Sequence, residues 1–412
     1  MKILKNKTAL IILSLLACVY CFFEAQGKGD FYIFISAADD LKRGENIFEN
    51  KYVDGYHYYY SVLFALLLKP LTTLSFFWIK FAWLLLNVFL FFQMLGLLLK
   101  SELVQNLEER KRWVFLSVIF VFSLRFFLDN IHTSQITIVI LASCVYGVYY
   151  IAKEKPIKGA LILALGINIK LLPIVFLPYL IYRGYFKAFF ITITFYLVFL
   201  ILPSVFIGIE YNFLLLKTWL NLINPINQNH VLDVDERSFH GLSTLLSTLL
   251  VKDVPDMYAL PLKRNIADIS LSALSVILQG ARLILVSFTL FFLGFKFFTK
   301  TKGNWKQCLE VSYILLIIPL IFPHQQHYAF LFAIPAVGCI SYYLLSAEIP
   351  AARKKIIVLS LVVIYLTFNL KLLLGEFNRY YEHYKILTYG ALLLIPLLAW
   401  VRRDSKRKLS VL

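Results

Sequence analysis

The sequence predicts an all-α polytopic membrane protein, a bundle of about twelve transmembrane helices with two large extracytoplasmic loops. Three observations predict it. Of 412 residues, 60% are hydrophobic and only 16% charged, against about 25% charged in a soluble domain. The apolar residues come in long runs, not in the alternating pattern of a membrane β-barrel. Lys and Arg, which bring the net charge to +17, gather in short clusters between those runs. That is the positive-inside pattern, and such clusters meet anionic headgroups. The charge is therefore assigned to membrane lipids, and no nucleic-acid partner is expected.

The first apolar run, residues 8–26, follows M-K-I-L-K-N-K. No A-x-A site follows it, so it reads as an uncleaved signal anchor with a cytoplasmic N-terminus. The polar stretch 27–60 is then outside. Residues 61–75 are apolar but too short to span, and Lys69-Pro70 breaks them; they read as an interfacial helix. Together 27–75 form the first extracytoplasmic loop. Residues 76–99 return to a basic segment, 100–112. Residues 113–128 run outward to Asp129–Gln135, and 136–152 come back to Lys153, Lys155 and Lys158.

The apolar stretch 159–182 is interrupted at Lys170-Leu171-Leu172-Pro173. Proline removes a backbone hydrogen bond there. The flanking lysines and Arg183 favour two short helices, up and down, with Lys170 towards the outer half; one kinked span is the alternative. Residues 188–208 run outward to the second large loop, 210–268. Residues 271–298 run inward to a lysine cluster, 309–322 outward to the turn Pro323–Tyr328, and 329–346 inward to Arg353-Lys354-Lys355. Residues 356–374 and 386–401 form the last pair, ending in a basic tail. Both termini lie inside, and the whole chain, 1–412, reads as one integral membrane domain of a bacterial inner or plasma membrane. No repeat of fixed period is present. The five cysteines lie within apolar runs and read as packing residues, with no disulfide and no zinc expected.

This topology gathers Asp30, Asp39, Asp40, Asp129, Asn130, His132, Gln135, Lys170, Arg237, His240, His324, His327 and Arg379 on the outer face. Asp30 follows the first run at the membrane edge, where a carboxylate loses hydration and is a functional candidate. One acid with cations and histidines from later segments suits sugar transfer from a lipid phosphate. A base takes the proton of an acceptor hydroxyl, and cations stabilise the departing phosphate. Each residue also has a plainer role. Asp30 fits an N-cap. Asp39-Asp40 has the look of a metal pair, but adjacent side chains on a helix diverge, so solvated surface is expected. Lys170 can snorkel. His324 and His327, three apart, can share a helical face and hold a metal; with no third ligand, phosphate contact is preferred. Asn130 and Gln135 can cap the next helix. Tyr56, Tyr58, Tyr59 and Tyr60 suit an interfacial aromatic belt or a sugar platform.

The order of these segments resembles the C-superfamily (GT-C) of integral membrane glycosyltransferases. Within it, the chain is similar to glycosyltransferase family 87, the polyprenol-phosphate-mannose-dependent α-mannosyltransferase branch. The residues that carry the resemblance are Asp30-Phe31-Tyr32, Ala37-Ala38, Leu41, Gly44, Tyr59-Tyr60 and Leu66 to Pro70. Further matches are Asn130 with Gln135, Gly159 to Lys170 with Leu172-Pro173, Arg237-Ser238 with Leu242, and Pro323-His324 with His327-Tyr328. Two departures stand out: Ser61 follows the aromatics where the family has proline, and Ser134 precedes Gln135 where it has glycine. The resemblance implies an inverting transfer with Asp30 as catalytic base and an extracytoplasmic active site. It implies a polyprenyl-phosphate sugar donor, mannose in this branch, and a glycolipid or glycan acceptor. Lys170, His324, His327, Arg237, Gln135, Asn130 and Tyr59 would contact donor phosphate or substrate, with no cofactor and no metal. The rival readings are a transporter or flippase of lipid-linked or small polar substrates, and a lipid-linked oligosaccharide polymerase or ligase.

Overall fold

A computed structural model describes residues 7–224, 232, 239–257 and 259–408. Among the described residues the regular elements are all helices, with no strand and two isolated bridges, Lys51 to His57 and Phe239 to Gln326. In chain order the helices are α1 Lys7–Glu24, α2 Phe31–Arg43, α3 Val62–Leu68, α4 Phe76–Leu99, α5 Glu102–Gln105, α6 Glu109–His132, α7 Thr137–Ala152, α8 Pro156–Ile169, α9 Phe176–Tyr182 and α10 Phe186–Ile201. They continue with α11 Ser204–Ile207, α12 Ile209–Ile223, α13 Leu242–Leu250, α14 Leu271–Leu293, α15 Asn304–Ile321, α16 Ile334–Ser346, α17 Ala351–Asn369, α18 Asn378–His383 and α19 Ile386–Lys408.

Six described helices are long and apolar enough to cross a bilayer: Phe76–Leu99, Glu109–His132, Phe186–Ile207, Leu271–Leu293, His327–Ser346 and Ile386–Ser405. Five shorter apolar helices accompany them, among them Val62–Thr73, Thr137–Ala152, Pro156–Ile169 and Leu172–Tyr182. Only 11% of the apolar window in Phe186–Ile207 is buried by protein, against 78% in His327–Ser346. The first presents its surface to hydrocarbon and the second is interior. Both are nearly pure apolar sequence, because without water a lipid-facing and a core-facing helix need the same side chains.

The chain divides into two compact units. One comprises Met1–Leu99, Leu128–Asn224 and Phe297–Lys300; the other comprises Lys100–Phe127, Pro225–Lys296 and Thr301–Leu412. In the first unit α7 and α8 form a tight antiparallel hairpin built on small residues. A Cβ on Gly159 would stand 2.5 Å from Gly147 O, and one on Gly166 would stand 2.7 Å from Ser143 Cβ. Glycine lets the backbones meet where packing, not hydrophobicity, drives helix association. In the second unit α15, α16 and α19 pack together, with Tyr313, Leu316, Phe330, Ile340 and Leu398 fully enclosed.

Several expected boundaries move. The outward run extends at both ends into α6, so Asp129, Asn130 and His132 stand on its last turn. The 61–75 stretch is α3 followed by a 3-10 turn, Lys69–Thr73, with Pro70 in its first turn. The interruption at Lys170 is a true helix break: α8 ends at Ile169, and a 3-10 turn, Leu172–Val175, precedes α9. The run expected to end at 208 carries a short turn at Leu202-Pro203 within the Phe186–Ile207 span, between α10 and α11.

Candidate active site

Asp30 stands at the N-terminal position of α2, but its side chain makes no cap hydrogen bond. Instead the carboxylate accepts from the Gln135 amide Nε2. The Asp30 main-chain N–H donates to Thr133 O at 2.8 Å. One short turn therefore grips both ends of the residue. That turn is closed by Gln135 N–H donating to Asn130 O at 2.8 Å and Ser134 N–H to Ile131 O at 3.1 Å. Gln135 and Asn130 are both fully enclosed, while Asp30 remains half-buried.

Backbone geometry explains why this contact is so close. Gly29 and Ser134 both have a φ of 58°. A Cβ on Gly29 would lie 2.9 Å from Ser134 Oγ and 3.0 Å from Thr133 O. Only glycine allows the two segments to meet. Ser134 occupies a left-handed position that costs a non-glycine residue roughly 1–2 kcal/mol.

Lys170 closes the other side. It follows α8 in extended conformation, and its Nζ lies 5.4 Å from the centre of the Tyr60 ring. The Tyr60 ring meets Phe34 of α2 edge-on at 4.7 Å. Ser61 ties the two segments. Its N–H donates to Ile169 O at 3.3 Å, and its hydroxyl donates to Asn168 Oδ1 at 2.9 Å while accepting from Phe64 N–H at 3.1 Å. Proline at this position could not donate the bond to Ile169 O. Burial pushes the Lys170 ammonium down to about 8, and the charge of Asp30 opposes that fall. The carboxylate and the ammonium thus share one electrostatic neighbourhood.

The remaining predicted residues are placed as follows. Tyr59 is half-buried, and its carbonyl accepts from Trp219 Nε1 at 3.4 Å; the Tyr60 ring beside it faces Lys170. His132 is exposed and pairs with Glu24 at 3.0 Å. Asp39 is half-buried, and its carboxylate pairs with Arg43. Asp40 is not the solvated acid expected: it is 6% exposed and accepts from Arg43, Asn50 Nδ2 and the Tyr52 hydroxyl. It organises the loop after α2. Arg237 lies outside the described residues.

His324 and His327 belong to the second unit. They do not share a helical face. His324 has a φ of 56° in the turn, its ring 5.4 Å from Phe239, and His327 starts the 3-10 helix His327–Ala333. The turn is pinned by His240, whose N–H donates to Gln325 O at 3.0 Å and whose carbonyl accepts from Thr388 Oγ1 at 2.6 Å. The His240 ring in turn meets Glu382 at 2.9 Å, and Lys371 meets Glu382 at 3.0 Å. Burial pushes His240 down to about 4 against the pull of Glu382. Burial also opposes the Glu382 charge, yet the His240 ring and the Lys371 ammonium hold that carboxyl well below the usual range. A second buried set, Asp256 with Lys385 at 3.1 Å and Arg264 at 2.5 Å, lies in the same unit. Among these charged groups only His240 stood out in the sequence. Lys371, Glu382 and Lys385 lie in an ordinary-looking polar stretch, and nothing in their spacing announces a buried network.

Chemically, the first unit offers a carboxylate aimed by an amide, an ammonium nearby and an aromatic platform. That set can accept a proton and offset developing negative charge. The model of glycosyltransferase family 87 matches residues 58–297, more than half of the chain. The matched stretch contains Tyr59, Asn130, Gln135, Lys170 and Arg237, whereas Asp30, His324 and His327 lie outside it. No curated protein and no solved structure matches the chain. The membrane-spanning helices and the extent of this match together establish that the chain belongs to glycosyltransferase family 87 and is an integral membrane glycosyltransferase.

Proposed function

We propose that the protein transfers a sugar, mannose in the branch it resembles, from a polyprenyl phosphate to a glycolipid or glycan acceptor with inversion. Transfer takes place at the extracytoplasmic face of a bacterial inner or plasma membrane. Asp30 takes the proton of the acceptor hydroxyl. The acceptor oxygen attacks the anomeric carbon from the face opposite the phosphate. The carbon–oxygen bond to phosphate breaks and polyprenyl phosphate leaves with the electron pair. Lys170 stabilises the charge growing on that phosphate; a donor contact by His324, His327 or Arg237 rests on the sequence reading alone. Gln135 aims the Asp30 carboxylate, Asn130 closes the turn that carries Gln135, and Tyr59 contacts substrate. The chain acts as one integral membrane domain of about twelve helices with both termini inside.

The observation that carries this reading is the Asp30 carboxylate held by Gln135, with its charge felt at Lys170, in a chain of this family. The test uses purified protein, polyprenyl-phosphate mannose and an alkyl mannoside acceptor, with release of polyprenyl phosphate as the readout. Asp30→Asn keeps the shape and the Gln135 contact but removes the base. It is expected to lower kcat by about 10²- to 10⁴-fold. Transfer by Asp30→Asn at the wild-type rate means that Asp30 is not the base.

A further inference from the structure

The groups that hold Asp30 in place do not end at Gln135. Lys80 is 1% exposed although it lies four residues into α4, a 24-residue helix that is otherwise almost wholly apolar. A buried ammonium without partners is costly. This one has two: Nζ donates to Glu24 O at 2.7 Å and to Gly27 O at 2.8 Å. Those are carbonyls at and just beyond the C-terminus of α1, where a helix leaves acceptors unmet and a cation complements the dipole. Gly27 stands three residues before Asp30.

One turn along the same face, Trp83 Nε1 donates to Ser134 O at 3.1 Å. Ser134 sits between Thr133, which takes the Asp30 N–H, and Gln135, which holds its carboxylate. The Trp83 ring also stacks on Phe31, the residue after Asp30, at 5.3 Å. A further turn on, Asn87 Nδ2 donates to Trp83 O at 2.9 Å. Lys80, Trp83 and Asn87 follow i, i+3, i+7 spacing, so a single helical stripe reaches main-chain oxygens on both segments that flank Asp30.

We propose that Lys80 and Trp83 of α4 are positioning residues for Asp30. Lys80 fixes the approach from Gly27, and Trp83 fixes the Ser134 turn that delivers Gln135. This rests on Asp30 being the base. A buried point-charge donor is suited to the first task because it can bond two carbonyls at once with a short reach. The indole is suited to the second because it carries one donor on a rigid apolar plate.

The test compares Lys80→Met, Trp83→Phe and Asp30→Asn in the full-length enzyme in lipid nanodiscs, with polyprenyl-phosphate mannose and the alkyl mannoside. Rates are taken per folded molecule, counted by size-exclusion and thermal melt. Misplacing a reacting group by about 1 Å costs on the order of a hundredfold. Lys80→Met is therefore expected to lower kcat about a hundredfold and Trp83→Phe about tenfold, with the donor KM unchanged. A loosened Gln135 hydrogen bond favours the protonated carboxyl, so the acid limb of kcat/KM moves to higher pH in both. A residue that only stabilises the fold would lower the melting temperature and leave kcat and the acid limb alone. Wild-type kcat and acid limb in Trp83→Phe, or a raised donor KM with kcat unchanged, overturns the proposal. Trp83→Phe decides alone where Lys80→Met does not fold. Activity in Asp30→Asn sinks the underlying reading; an inactive Asp30→Asn beside a normal Trp83→Phe sinks this proposal alone.

Discussion

Lys170 shows how a single residue's environment sets a measurable property. Its ammonium is pushed down to about 8 by burial, with Asp30 pulling the other way. Below that pH the side chain is a cation able to meet a phosphate; above it the charge is lost. Transfer is therefore expected to fall as pH rises through about 8. Lys170→Arg, which stays charged, is expected to remove that alkaline limb even if its wider head lowers the maximal rate. A limb that persists unchanged in Lys170→Arg would assign it to another group. Asp30, Gln135 and Lys170 were legible as residue types at polar breaks between apolar runs. Lys80 and Trp83 were not. Lys80 looks like a stray charge in an apolar run, and only the two carbonyls above it reveal a purpose.

Among the elements, the α7–α8 hairpin determines where Lys170 emerges. Gly159 faces the Gly147 carbonyl, which is backbone and cannot rotate away. Gly159→Ala is expected to force the helices apart at a cost of about 1–3 kcal/mol. It should move the end of α8 and lower transfer as well as the melting temperature in detergent. An unaltered melting temperature would show that the hairpin tolerates a methyl group there. The glycines and the break at Leu172-Pro173 were visible in the sequence. The antiparallel approach that makes one glycine indispensable was not, because composition does not say which faces meet. Ser134 and Ser61 teach the same lesson. The structure gives each a definite geometry, one at a left-handed turn and one as a donor to Ile169 O.

At the scale of the whole molecule, each unit carries its own buried polar device. In the second, His240, Glu382 and Lys371 are tied to the turn that bears His324 and His327. His240 has its folded-state pKa depressed to about 4 from an ordinary 6.5, so its contribution to stability is present above pH 6.5 and lost as pH falls towards 4. Glu382, also depressed, loses its contribution in the same direction, below the ordinary carboxylate range. The melting temperature is expected to drop steeply between pH 6.5 and 4, with roughly 3 kcal/mol at stake for His240 alone. A flat profile over that window in the purified protein would contradict a buried neutral imidazole. The first unit has no comparable histidine among its described buried residues, so the loss is expected to begin around His240.

Membrane class, helical architecture, the polar breaks and the candidate acid all followed from composition and order. Hydrocarbon admits only apolar runs with internally satisfied backbones, and any polar residue kept there stands out against that background. Which polar groups touch was decided by the folded chain alone. Asp30 with Gln135, Lys80 with Gly27 and His240 with Glu382 are separated by dozens of residues or more. Their pairing depends on helix register and on glycines that permit close approach, and neither leaves a mark in hydropathy.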